Sequence, residues 1–344
     1  MTDVRCIAID VMGGDSGPSV TVPACLSILR RHLTVRLLLV GDESLIKLYL
    51  NDLSASVLSR LEILHTSLVF TNEARPDTIL RNGRDSSLFL AVEQVRSESA
   101  HACVSAGNTG ALMLTARHLL KNIPGVEKPA IMAILPASRA GGFTYLLDVG
   151  ANIECTANQL FQFAMMGSVL VSSLAEKSRA RVALLNVGAE AHKGKVEIRE
   201  ASVLLAACKE FEYVGFVEGN QIFDGLADVI VCDGFTGNVT IKTSAGAVKV
   251  IQNLIHQSIR KRWYYRVFAF WMKPFLRDVR RALKPSRYNG ATLIGVQGVI
   301  VKSHGNSDSA GFEQAIEHAL RQLEFDIPDL IAKRMQIPVE HFVG

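Results

Sequence analysis

Short runs of Val, Ile and Leu recur along the chain, each closed by a cluster of Gly, Asn and Asp and followed by apolar residues at every third or fourth position. The runs predict strands at Arg5–Asp10, Arg36–Val40, Leu61–Leu64, Ala102–Ser105, Ala130–Leu135, Phe143–Val149, Val182–Val187, Tyr213–Val217, Val229–Cys232, Ala291–Ile294 and Gly298–Lys302. Most are continuous rather than alternating, which suits parallel strands covered by helices on both faces. Between them the 3.6-residue period predicts helices, for instance Ser86–Arg96, Thr109–Leu120, Thr156–Leu174 and Glu197–Cys208. Strand, tight turn and helix in repeated order imply an α/β fold, a doubly wound α/β/α sandwich. We expect a single catalytic domain over residues 1–344, with two lobes sharing the sheet.

The candidate chemistry lies in the turns that close the strands. Asp10-Val-Met-Gly13-Gly14-Asp15 follows the first strand, and Ser105-Ala-Gly107-Asn108-Thr109-Gly110 follows another. Asp148-Val-Gly-Ala-Asn152 and Asn186-Val-Gly-Ala-Glu190 share a wording, and Asp233-Gly-Phe-Thr236-Gly237-Asn238 precedes a long helix expected from Val239. Ligands of open α/β sheets bind where strand carboxyl ends meet such turns, so five decorated turns at one edge predict a site there. Two of them, Gly107–Gly110 and Gly234–Gly237, share the spacing Gly-x-Thr-Gly. This is either a pseudo-repeat of two halves or the common occurrence of Gly and Thr at helix starts. Glycine permits close backbone approach and a helix start offers free N–H groups, so a phosphate or phosphopantetheine cradle is one reading. Thr109 and Thr236 acting as ordinary N-caps is the other.

Lys193, beside Gly194 past a strand end, can neutralise a phosphate or polarise a thioester carbonyl; the alternative is a solvated surface charge. His304 also ends a strand and is either a base or anion ligand or a structural histidine. There is no G-x-G-x-x-G, no Walker lysine, no G-x-S-x-G, no H-E-x-x-H, no cysteine beside an activating base and no metal-ligand cluster. Direct attack of one bound substrate on another, with catalysis by positioning and electrostatics, fits this inventory.

Composition sharpens the picture in three ways. Hydrophobic residues are 49% of 344, enough for a sizeable core and too many for a disordered chain. The six cysteines are scattered without C-x-x-C, and Met1–Asp10 has no apolar signal core, so we expect a reduced protein of the cytoplasm. The formal net charge of +4 conceals Arg260–Arg287, where ten basic residues face one acid, Asp278, leaving the remainder mildly acidic. That distribution is not the spread basic face of a nucleic-acid binder, so no nucleic acid is expected as a partner.

The basic segment holds both tryptophans, Trp263 and Trp271, together with Arg262, Tyr264, Phe268 and Phe275. Pro274 should break it into a helical hairpin over about residues 250–287. Aromatic and basic residues together suit an anionic membrane surface, and the stretch is too short and charged to span a bilayer. A hairpin at a dimer interface is the alternative, and the same charges would also dock an acidic carrier protein.

Taken in order, Ile9–Asp15, Cys103–Met113, Leu147–Asn152, Met166–Ser168, Leu185–Gly188, Val231–Thr240 and Lys302–Gly305 resemble the PlsX family, the phosphate:acyl-carrier-protein acyltransferases of bacterial phospholipid synthesis. The resemblance implies an isocitrate/isopropylmalate-dehydrogenase-like fold and a homodimer. It implies acyl carrier protein as donor, inorganic phosphate as acceptor, and no metal, nucleotide or other cofactor. The acyl phosphate would feed phospholipid synthesis, with a membrane glycerol-3-phosphate acyltransferase downstream and the enzyme cytoplasmic, peripheral to the inner face of the cell membrane. It implies Lys193 and Asn238 as catalytic residues. Asp10, Gly13, Gly14, Asp15, Ser105, Gly107, Asn108, Thr109, Gly110, Asn152, Asp233, Thr236, Gly237 and His304 would bind substrate. The stretch Arg81–Ser87 departs from the family in having less lysine, Arg84 keeping charge with a different geometry. The rival readings are a short-chain phosphate acyltransferase using coenzyme A thioesters, a nicotinamide-dependent hydroxy-acid dehydrogenase without its fingerprint, and an inert membrane-associated scaffold that binds acyl carrier protein.

Overall fold

The structure, a computed structural model, describes residues 4–138, 142–261, 272 and 288–336. Its strands are β1 (Arg5–Asp10), β2 (Val35–Gly41), β3 (Leu61–His65), β4 (Ala102–Ser105), β5 (Ala130–Pro136), β6 (Phe143–Leu147), β7 (Arg181–Leu185), β8 (Glu212–Val217), β9 (Val229–Val231), β10 (Ala291–Ile294) and β11 (Val299–Lys302). They form one eleven-stranded sheet in the order β3-β2-β1-β4-β11-β10-β5-β6-β9-β7-β8. Every expected strand is present. Two, β6 and β7, end two residues earlier than their apolar runs suggest, because a side chain captures the backbone that follows. Asp148 accepts the N–H groups of Gly150, Ala151 and Asn152 after β6, and Asn186 accepts that of Val187 after β7. Such side-chain-to-backbone bonds offer the backbone an alternative to the ladder.

Alternation along the strands sorts the core into two layers. Ile7, Ile9, Leu37, Leu39, Val104 and Val301 face a buried cluster with α1 (Pro18–Arg31) and the helix Ser309–Glu324. Ala8, Leu38, Cys103 and Ile300, one position out of phase, face the opposite cluster with Ser87–Arg96 and Thr109–Leu120. The second half repeats the arrangement. Leu147, Val182, Leu184 and Val231 pack on Ala157–Leu174 and Val196–Ala207. Ala183, Leu185, Ile230 and Cys232 lie on the other side with Ile241 of the long helix Gly234–Lys261. This is the expected α/β/α sandwich.

Strand direction departs from a uniformly parallel sheet. β1, β2, β3, β4 and β11 are mutually parallel. β10 runs antiparallel to both β11 and β5, and β5 antiparallel to β6. β6, β9, β7 and β8 are again parallel to each other. Three reversals therefore leave the two parallel blocks pointing in opposite senses, and the five decorated turns do not share an edge. The turns at Asp10 and Ser105 close one edge, and those at Asp148, Asn186 and Asp233 close the other. The long helix begins at Gly234 rather than Val239, so its Gly-x-Thr-Gly sequence forms the first helical turn.

Candidate functional site

At the first edge, β1, β4 and β11 lie side by side with Asp10 in register with Ser105, and Ser105 in register with Lys302. In-register residues of parallel strands point to the same face, so the three side chains form a row. Asp10 is buried. It accepts the Ser105 hydroxyl at 2.6 Å and the Ser87 hydroxyl at 2.7 Å, the latter from the start of helix Ser87–Arg96. Ser105 Oγ in turn accepts the Gly107 N–H at 3.0 Å. Burial pushes the Asp10 carboxyl above the ordinary carboxylate range, against the two serine hydroxyls and the charge of Lys302. Lys302 donates to the Ala106 carbonyl at 3.2 Å and to the carbonyl of Ser303. Burial draws its ammonium down to about 8, opposed by Asp10 and Asp15.

Gly13 permits this assembly. A Cβ there would stand 2.6 Å from the Gly107 backbone nitrogen, so the two turns touch backbone to backbone. Asp15 is held by its N–H on the Gly305 carbonyl at 2.8 Å, and Gly14 packs against the same carbonyl. His304 is anchored through its N–H to Asn289 Oδ1 at 2.9 Å. Burial, and then Lys302, hold its imidazole below the ordinary histidine value, although the residue is solvent-accessible. That combination marks a residue on a concave wall.

Neither threonine is the N-cap of its helix. Asn108 caps Thr109–Leu120, accepting the Ala111 N–H at 3.0 Å, and its amide group ties Asn72 and Ala74 to the turn. Thr109 is exposed at the first helical position. Among the described residues the N–H groups of Thr109 and Gly110 have no acceptor. The second Gly-x-Thr-Gly turn differs. Gly234 donates to the Asn152 carbonyl, Thr236 to the Asp233 carboxylate at 2.7 Å and Gly237 to the Asp233 carbonyl. Phe235 alone keeps a free N–H in that turn, among the described residues.

At this second edge Asp148, buried, accepts five N–H bonds from Ile131, Gly150, Ala151 and Asn152, the last both by backbone and side chain. Burial nevertheless pushes its carboxyl upward. Gly237 lies so close that a Cβ would land on the Asp148 carbonyl oxygen, and the Asn238 side chain fills the space beside Gly150. Asp233 pairs with Lys195 at 2.9 Å. Burial would raise its carboxyl, but the Thr236 and Lys195 hydrogen bonds take it below the ordinary value. Lys193 pairs with Glu190 at 2.7 Å on the exposed side of the same loop, whose backbone Asn186 grips through the Lys193 carbonyl at 3.1 Å.

The expected site residues thus fall into two sets. Asp10, Gly13, Gly14, Asp15, Ser105, Gly107, Asn108, Thr109, Gly110 and His304 stand at one edge. Asn152, Lys193, Asp233, Thr236, Gly237 and Asn238 stand at the other. Between β4 and β9 lie five strand spacings, about 24 Å of sheet width, so one orthophosphate ion meets one turn or the other. Sequence reading passed over Ser87, Lys195 and Lys302. Lys302 was visible as a charge ending an apolar strand, a costly position unless paired. Arg262, Trp263, Tyr264, Phe268, Trp271 and Phe275 lie outside the described residues, as does most of the expected 250–287 hairpin. Among the described residues no group of three or more His, Cys, Asp or Glu is placed to hold a metal ion, and no helix is long and apolar enough to cross a membrane.

Comparison with known proteins adds kinship to this geometry. Residues 5–329 match the family described as fatty acid synthesis protein. A phosphate acyltransferase of Shewanella baltica is 46% identical over 330 residues, 96% of each chain, and one of Shewanella amazonensis is 46% identical over the same shares. Among solved structures, a phosphotransacetylase from Streptococcus pyogenes superposes with a TM-score of 0.59 at 15% identity, covering 93% of this chain and 94% of that one. A branched-chain phosphotransacylase from Enterococcus faecalis gives 0.57 at 14%, covering 93% and 99%. At such identities the superpositions speak for the fold alone.

Proposed function

Because this chain belongs to the fatty acid synthesis protein family, with phosphate acyltransferases as its relatives, we propose that it transfers a fatty-acyl group from acyl carrier protein to inorganic phosphate. That it is an acyltransferase follows from the kinship; the donor, the product's use in phospholipid synthesis and the residue roles are our reading. The chain works as one catalytic unit of two lobes, and the two polar edges divide the labour.

Lys193 and Asn238 make the reaction edge. Lys193 exchanges Glu190 for orthophosphate and Asn238 donates to the thioester carbonyl oxygen. A phosphate oxygen attacks the carbonyl carbon and the C–S bond breaks with its electron pair on sulfur. The carrier thiol takes up the proton that phosphate gives. Asn238 and the Phe235 N–H stabilise the oxyanion as it forms. The Ser105–Gly110 turn is the donor edge, where the Thr109 and Gly110 amides receive an anionic group of the carrier protein. The observation that carries this division is the contrast between the two Gly-x-Thr-Gly turns, one with free amides and one with its amides engaged.

The long helix exposes Val250, Ile251, Leu254 and Ile255 on the way into the basic aromatic segment. This supports a homodimer contact there and, beyond it, attachment to an anionic membrane surface on the cytoplasmic side.

The test is to mix the protein with long-chain acyl carrier protein and orthophosphate and follow free thiol and acyl phosphate together. Phosphate-dependent formation of both is expected. Release without phosphate would mean a thioesterase, and transfer from a coenzyme A thioester alone would replace this reading with the short-chain one.

A further inference from the structure

We propose that Lys302 and Asp10 act as one positioning pair that sets the Ser105–Gly110 turn for an anionic group of the donor. The inference rests on the assignment of that turn to the donor edge. Neither residue needs to touch substrate.

The turn is gripped from both flanks by this pair. From β1, Asp10 fixes the Ser105 hydroxyl at 2.6 Å, and Ser105 fixes the Gly107 N–H at 3.0 Å. From β11, the Lys302 ammonium holds the Ala106 carbonyl, the peptide between those two contacts. With Ser105 and Ala106 so bound, the amides of Thr109 and Gly110 at the helix start are left without acceptors among the described residues. Lys302 makes no ion pair within 4 Å among the described residues, although Asp10 and Asp15 both act on its charge. Among the described residues its two acceptors are carbonyls, so its hold on the turn depends on its carrying a protonated ammonium rather than on a particular carboxylate. The charged and titratable groups facing it are Asp10 from β1, Asp15 from the turn after β1 and His304 from the end of its own strand.

An ammonium that titrates near 8 is about nine-tenths charged at pH 7 and about one-tenth charged at pH 9. A turn set by that charge should therefore bind the donor about ninefold more weakly at pH 9 than at pH 7. An arginine at the same place stays charged throughout.

The experiment compares full-length wild type, Lys302→Arg and Lys302→Met. KM for long-chain acyl carrier protein and for orthophosphate is measured at pH 7 and 9, together with calorimetric binding of the unacylated holo carrier, which needs no turnover. The ratio of wild type to Lys302→Arg at each pH cancels the titration of the ligands themselves. We expect the wild-type donor KM to rise about ninefold relative to Lys302→Arg between the two pH values, with orthophosphate KM moving equally in both proteins. Lys302→Met, if folded, should raise donor KM at pH 7 about tenfold and leave kcat within about twofold. A wild-type-to-arginine ratio that is flat with pH overturns the pair, as does a change confined to orthophosphate KM. Loss of acyl transfer in wild type, with carrier binding still dependent on Lys302 and pH, would sink the proposed reaction and leave the positioning pair standing.

Discussion

The carboxylate of Asp10 and the hydroxyl of Ser105 meet at 2.6 Å across two parallel strands, and the same hydroxyl takes the Gly107 N–H. One oxygen thus connects a buried charge to the shape of a turn. Ser105→Ala would leave the Gly107 amide unpaired and take one of the buried bonds from Asp10, a cost of about 1–3 kcal/mol. Chemical denaturation should show that loss, and donor KM should rise. An unchanged unfolding midpoint would show that the bond contributes nothing net.

Lys193→Ala tests the reaction edge. Lys193 is exposed and its partner Glu190 is exposed too, so thermal unfolding should be unaltered. The turnover number should fall by about 10²–10³-fold if the ammonium meets developing charge. Near-normal turnover in a folded protein removes Lys193 from the mechanism.

Gly237→Ala should fail to fold or unfold far below wild type, because its methyl group would occupy the Asp148 carbonyl oxygen. Soluble expression with a wild-type melting profile would mean that the helix start can shift to make room.

Acid stability should depend on Asp228, which is paired with Lys177 at 2.9 Å and Arg181 at 3.0 Å. Burial alone would raise its carboxyl, but the Arg181 and Lys177 bonds bring it down to about 2 from 3.8. A depressed folded value stabilises above the unfolded one, so the contribution of about 2 kcal/mol is complete above pH 4 or so and is lost as pH falls through about 2. Urea midpoints measured from pH 5 to 2 should fall more steeply in wild type than in Asp228→Asn. Parallel curves would assign the acid transition elsewhere.

The strands were legible because uninterrupted Val, Ile and Leu runs have few other places to go than a covered sheet. The turns were legible as residue types, since Gly, Asn and Asp after a strand mark tight reversals. What the chain could not announce is direction. Nothing in the composition of Ala130–Pro136 or Phe143–Leu147 distinguishes an antiparallel pair buried on both faces from a parallel one, and this pair helps to set Asp10 and Asp233 on opposite edges. The caps were ambiguous for a related reason. Asn108 and Asp233 stand one and three residues before the threonines that one reading made caps, and only the backbone geometry decides which oxygen reaches the helix. Ser87 escaped notice because its link to Asp10 spans 77 positions.

The contact between Lys302 and Ala106 joins residues 196 positions apart, and the strand that carries Lys302 slots between β4 and β10. A chain emerging from the ribosome therefore makes β4, then the entire second half of the sheet, before the strand that completes the first half exists. Until then β4 offers an open edge on one side and the turn after it lacks one of its two anchors. Such a long-range closure is slow compared with local contacts. The Ser105–Gly110 turn is accordingly among the last parts of the protein to acquire its shape, and a nascent chain stopped short of β11 holds that turn fully synthesised but without its Lys302 anchor.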